Sequence, residues 1–145
     1  MSLSRLRIPP FLAFLIVAIA VVNGLAEKYY WYWKFTVDFP PYGIIRWFDM
    51  PMHFSGGVWL AGMAVWLYPL FKTELPRPFS KILLICITTA LGVGLTWEIY
   101  EAIISYITVL HINAMLDTLS DLLFDILGGT TVAIFTWWRI KQKQS

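Results

Sequence analysis

The sequence predicts an all-α membrane protein: a four-transmembrane-helix bundle with both termini cytoplasmic. Three observations carry this. First, 59% of the residues are hydrophobic and only 14% charged, against roughly 25% charged in soluble domains. Second, four mainly apolar windows, at 8–26, 47–71, 82–108 and 116–138, reach the length of about 20 residues that crosses the hydrocarbon. Third, the basic residues gather on the connections that belong to one side. With a mean hydropathy of +0.67, nine acidic and eleven basic residues are too few to disperse such a chain in water. That excludes a soluble enzyme, a disordered chain and a nucleic-acid binder. Cys86 stands alone, which excludes an intrachain disulfide and a thiolate cluster.

The first window carries no charge, and Pro9 and Pro10 suit its opening turn, where no backbone N–H partner is lost. Its basic start and Gly24-Leu25-Ala26 also resemble a cleavable signal peptide. Cleavage would leave three helices to enclose a very polar site, so retention is the expected state. The connection 27–46 is the longest; its run Tyr29-Tyr30-Trp31-Tyr32-Trp33 and Pro40-Pro41 predict an interfacial cap on the outer surface. The second window should begin at an Asp49 N-cap, with Pro51 in its first turn. In lipid every backbone polar group must be satisfied within the segment, and strand alternation is absent, so all four windows should be helices.

Arg5 and Arg7, then Lys72, Arg77 and Lys81, then Arg139, Lys141 and Lys143 fall on one side, leaving Lys28, Lys34 and Arg46 on the other. By the positive-inside rule both termini are cytoplasmic, with the chain in the cell membrane.

The charges inside the windows are the informative ones. Asp49 and His53 begin the second, Glu98 and Glu101 come late in the third, and Asp117, Asp121 and Asp125 occupy the first half of the fourth. With the predicted orientation all fall in the outer half of the membrane. Their spacings of three or four put each set on one helix face, so three polar stripes should meet inside the bundle. Structural readings exist: Asp49 or Asp117 as caps, Glu101 or Asp121 reaching the interface, His53 as a packed histidine. Glu98 and Asp125 resist them, because at 1.5 Å per residue each lies about 12–13 Å from its helix end. A lone carboxylate at that depth is costly, and intramembrane acids mark function.

No Lys or Arg lies within these windows, and Arg46, just before the second, is the only base expected near the acids. Carboxylates crowded in a low dielectric cannot all stay ionised, so the site needs protons or cations. Oxygen-rich donors with one His suit Mg²⁺, Mn²⁺ or Ca²⁺, with Zn²⁺ or Fe²⁺ open, and the donors suffice for two ions. His53, Glu98, Asp117, Asp121 and Asp125 are the candidate metal ligands. Gly56, Gly57, Gly62, Gly92, Gly94, Gly128 and Gly129 suit close helix approach. Asn23 and His111 are peripheral candidates.

Asp49-Met-Pro-Met-His53-Phe54-Ser-Gly56, Glu98-Ile-Tyr-Glu101, and Asp117-Thr118-Leu-Ser-Asp121 followed by Gly128-Gly129 resemble the three signature segments of the small YjdF-type membrane proteins. A looser likeness extends to VanZ-like proteins. There Met50 replaces a Lys, and Glu101 and Asp125 stand where those proteins carry Gln and Asn, so this site is more acidic. The resemblance covers the second to fourth windows and implies a polytopic membrane protein linked to the cell envelope, with antibiotic tolerance in the VanZ case. It implies no reaction.

The functional expectation is a metal-dependent hydrolase or transferase acting on an outer-leaflet lipid or lipid-linked phosphate. Glu101 or Asp49 would be the general base and Arg46 the phosphate contact. The alternatives are a cation or proton transporter or channel, for which Thr88, Thr89, Thr130 and Thr131 could line an inner path, and a non-catalytic envelope protein. The partner is membrane lipid; a homo-oligomer stays open.

Overall fold

Four helices follow one another along the chain: α1 (Pro10–Thr36), α2 (Tyr42–Phe71), α3 (Phe79–Thr108) and α4 (Met115–Gln142). The computed structural model describes residues 8–36, 42–72, 74–108 and 115–143, and within them side chains other than those of 23, 26–36, 42–49, 104–108 and 117. No strand occurs among the described residues. Three segments are long and apolar enough to cross a membrane: Met50–Phe71, Phe79–Ile103 and Thr118–Gln142. The apolar stretch of α1 that the description covers, Pro10–Val22, is shorter.

The helices run further than the apolar windows. Residues 27–36 continue α1 instead of forming a separate cap, because nothing before Pro40-Pro41 interrupts the backbone ladder. Likewise α2 starts at Tyr42, so Asp49 is not its N-cap and Pro51 lies in the helix interior. Membrane helices tolerate such a proline because neighbours re-satisfy the freed carbonyl. The expected cap at Asp117 fails too: α4 has already begun at Met115.

Helices α2, α3 and α4 pack against one another in all three pairings, whereas α1 packs against α2 alone among the described residues. The bundle is therefore a three-helix unit with α1 applied to one side. Trp59 Nε1 donates to the Leu12 carbonyl at 2.9 Å, and Leu12 sits over Gly62, which together fix α1 on α2.

Large apolar side chains such as Phe14, Leu84, Ile103, Leu123 and Ile134 are exposed on the outer faces, where lipid tails are as good a solvent as another helix. The interior is correspondingly small-sided. Ala61, Ile82, Cys86 and Ala133 form a fully buried cluster, bordered by Phe79 and Trp137 with ring centroids 5.5 Å apart. This dry cluster fills the half of the unit nearer Lys81 and Arg139 and leaves the opposite half to the polar residues.

Candidate functional site

Four ionisable side chains from three helices meet in that opposite half. Helix α2 supplies His53, α3 supplies Glu98, and α4 supplies Asp121 and Asp125, whose spacing of four keeps them on one face. Glu98, Asp121 and Asp125 are only 5%, 3% and 3% exposed, and the His53 side chain 10%. Carboxylates are almost never buried this far unless they are paired or bind a cation.

His53, Glu98 and Asp121 each offer one ligand atom, and these atoms all lie within 4.8 Å of one another. Two donors on opposite sides of an ion with bonds of about 2.0–2.4 Å are separated by roughly 4.0–4.8 Å. The group therefore has the dimensions for a single ion. Asp125 stands on the other side of the imidazole: its Oδ2 is 3.4 Å from His53 Nδ1, while His53 Nε2 faces Asp121 Oδ2 at 4.0 Å. When Nδ1 carries the proton and donates to Asp125, the Nε2 lone pair points to the Asp121 side. That is the carboxylate–histidine arrangement by which metal-binding imidazoles are oriented.

Two hydroxyls trim the cluster. Thr118 Oγ1 donates to Glu98 Oε2 at 2.7 Å, bridging α4 to α3, and Ser120 Oγ lies 3.5 Å from Asp121 Oδ1. Neither was singled out as a site residue by sequence reasoning. Thr118 had a legible signal, since it lies three residues before Asp121 and shares its face. Against three carboxylates there is one imidazole, and the apolar spans supply no Lys or Arg at this level. Protons or a divalent cation must offset the repulsion.

Glycines let the helices close around the cluster. A β-carbon on Gly57 would come 2.5 Å from the Asp125 carbonyl oxygen, and one on Gly94 would run into the Asp125 carboxylate. At Gly128 it would strike the Phe54 carbonyl, so α2 and α4 touch backbone to backbone there. Gly129 lies against Cys86 and Ala90, whereas Gly56 and Gly92 have open space.

Glu101 does not join the three-donor group. It lies one turn along α3, half-buried, and accepts a hydrogen bond from Trp97 Nε1 at 3.0 Å. The side chains of Asn23, Arg46, Asp49, His111 and Asp117 lie outside the described residues. Among the described side chains the site is built by α2, α3 and α4.

Residues 2–142 match the family described as "Predicted membrane protein (DUF2238)". The chain belongs to the DUF2238 family. This is the family of the YjdF-type proteins that the three motifs resemble, and the match also takes in the first helix. No curated protein and no solved structure matches the chain. Membership in DUF2238 establishes a membrane protein and carries no reaction, so chemistry has to come from the cluster itself.

If a divalent cation sits in this DUF2238 site, the ligand role and the orienting role are separable by mutation. Asp125→Asn keeps a hydrogen-bond acceptor beside His53 but removes the charge that orients and polarises the ring. It should weaken divalent-metal affinity by about 10- to 100-fold, the usual effect of losing such an outer partner. Competition with a fluorescent chelator on purified protein measures it.

Proposed function

We propose that this protein is a metal-dependent membrane enzyme that hydrolyses or transfers a lipid or lipid-linked phosphoester. One observation carries the reading: donor atoms of His53, Glu98 and Asp121 from three different helices lie within 4.8 Å of one another in a buried site. Three protein ligands leave coordination positions for water and substrate, the pattern of catalytic rather than structural sites. One nitrogen and two carboxylates suit Mg²⁺, Mn²⁺, Zn²⁺ or Fe²⁺ better than Ca²⁺, which takes six to eight oxygens. Asp125 is better cast as the group orienting His53 than as a ligand, and Asp117 stays a candidate to complete the shell.

The bound ion would clamp phosphate oxygens and make its water acidic. The residues then divide the remaining work. Glu101, held by Trp97 at 3.0 Å, would be the base that takes the water proton as the new P–O bond forms and returns it to the alcohol oxygen that leaves as the ester bond breaks. Asp49 is the alternative base, and Arg46 would meet the phosphate. All four helices would span the membrane with both termini cytoplasmic, as the Lys/Arg asymmetry requires. The site then opens toward the outer leaflet of the cell membrane, which fits a role in the cell envelope.

Transport is the weaker reading. The dry cluster of Ala61, Ile82, Cys86 and Ala133 lies in the half an ion would have to traverse. Three of the four threonines there are turned onto their own helices. Thr88, Thr89 and Thr131 donate to the Leu84, Ile85 and Leu127 carbonyls at 2.7, 2.8 and 2.9 Å.

Reconstituted protein, supplied with a panel of phospholipids and Mn²⁺ or Zn²⁺, should release phosphate or headgroup. The same vesicles should show no cation flux above empty vesicles. Flux that Asp121→Ala abolishes, without turnover of any lipid, would reverse the assignment.

A further inference from the structure

A second feature lies at the opposite, basic end of the bundle. Because α1 packs on α2 and not on α4, the N-terminal part of α1 and the C-terminal part of α4 bound a lateral cleft of about 550 Å³. That volume is in the range of ligand-binding sites, about 300–1,000 Å³. Its floor is Gly62, Val65 and Trp66 of α2, one wall is Leu12, and the other runs along α4 from Phe135. Arg139 and Lys143 stand at its mouth, and no acidic residue is among its described lining residues. From Phe135 to Lys143 the α4 wall extends about 12 Å at 1.5 Å per residue.

Charge and polarity are thus graded along the cleft: apolar toward the bilayer centre, cationic at the surface. The guanidinium of Arg139 lies 5.8 Å from the centre of the Phe135 ring, which anchors it at the boundary between the two zones. An acyl chain matches the apolar part and a phosphate the basic rim. A zwitterionic lipid brings its own ammonium against Arg139 and Lys143, and a free phosphate gains nothing from Leu12, Val65 and Phe135.

We infer that this cleft is a binding site for one anionic phospholipid of the leaflet at the α4 C-terminus, held by its acyl chain between α1 and α4 and by its phosphodiester at Arg139 and Lys143. Occupied, it would tie α1 to the three-helix unit, which among the described residues α1 touches through α2 alone. The site is separate from the His53–Glu98–Asp121 cluster and does not depend on any reaction there.

Native mass spectrometry of the full-length protein in neutral detergent tests this, with phosphatidylglycerol and phosphatidylcholine of identical chains as probes. One phosphatidylglycerol per chain should be retained in preference to phosphatidylcholine. Each base near an anionic headgroup contributes about fivefold, so Arg139→Gln with Lys143→Gln should reduce retention roughly thirtyfold. Lys141→Gln, which removes one positive charge beside the cleft, should leave retention unaltered where either single variant, Arg139→Gln or Lys143→Gln, costs about fivefold, and Thr136→Trp should block it by filling the apolar part. The exposed double variant keeps the test valid if Thr136→Trp fails to fold. Equal retention of both lipids, displacement of phosphatidylglycerol by inorganic phosphate, or unchanged retention in the double variant would overturn the proposal. So would a lipid-independent dimer lost in Thr136→Trp, which would give the cleft to a second copy.

Discussion

Asp121→Ala should strip the purified protein of its divalent metal, from roughly one ion per chain to background, since a three-ligand site cannot spare a ligand. The effect should exceed that of Asp125→Asn because Asp121 belongs to the three-donor group, whereas Asp125 acts through the His53 ring. Glu98→Gln is the more conservative companion. Its amide oxygen can still accept from Thr118 Oγ1, now 2.7 Å from Glu98 Oε2, so the α3–α4 bridge survives while the anionic ligand is lost. Metal analysis by mass spectrometry reads both variants.

Stability supplies the sharper half of this prediction. With metal bound, the wild type should be the more stable protein, because only it converts the acidic cluster into a filled coordination shell. In chelator the order should reverse. An uncompensated charge at membrane depth costs several kcal/mol, and Asp121→Asn or Glu98→Gln removes one of the three carboxylates that crowd His53. Thermal unfolding in detergent, run with Mn²⁺ and with chelator, should therefore give crossing rather than parallel shifts. Parallel losses in both conditions would mean that the carboxylates serve as hydrogen-bonded structure and that the metal reading fails.

How much of this was legible in the sequence follows from what period and spacing encode. The meeting of His53, Glu98, Asp121 and Asp125 was readable, because a charge in an apolar helix has one tolerable direction and a spacing of three or four fixes the face. The all-helical fold was readable for the same reason that open strands are barred from lipid. Helix starts were not. Asp49 has the chemistry of an N-cap, yet α2 begins at Tyr42 and runs on through Pro51, since local capping preference yields where a membrane helix can continue on both sides of the residue. Nor was the place of α1 readable: its apolar faces look alike in sequence, and the fit of Leu12 over Gly62 with the Trp59 bond to the Leu12 carbonyl selects α2. The distinction between the carboxylate of the three-donor group and the one across the imidazole was equally hidden. Asp121 and Asp125 are the same residue type on the same face, and they differ only in which side of the imidazole they meet.

That last distinction gives the second large effect, from a residue without any donor atom. Gly94→Ala should lower stability and weaken the metal site together. The added methyl would occupy the position of the Asp125 carboxylate and would lie 3.4 Å from Leu122 Cδ2. Asp125 has one rotatable carbon between backbone and carboxylate, so it must swing off His53 or α3 must retreat from α4. Overpacking of this kind costs about 1–3 kcal/mol. Gly92→Ala is the control one half-turn away. Its methyl meets nothing within 4 Å, and alanine is preferred over glycine inside a helix by about 1 kcal/mol, so that variant should be at least as stable as wild type. Gly128→Ala should be harsher in stability than Gly94→Ala, because it strikes the Phe54 carbonyl and Val58 nitrogen of the α2 backbone, which cannot rotate away. A double-mutant cycle then isolates the chemistry. If Gly94 acts on the metal by keeping the Asp125 carboxylate against His53, Asp125→Asn should cost little further affinity in a Gly94→Ala background, since the bond it weakens is already lost. Additive losses of metal affinity would show that Gly94 holds the helices together without positioning Asp125.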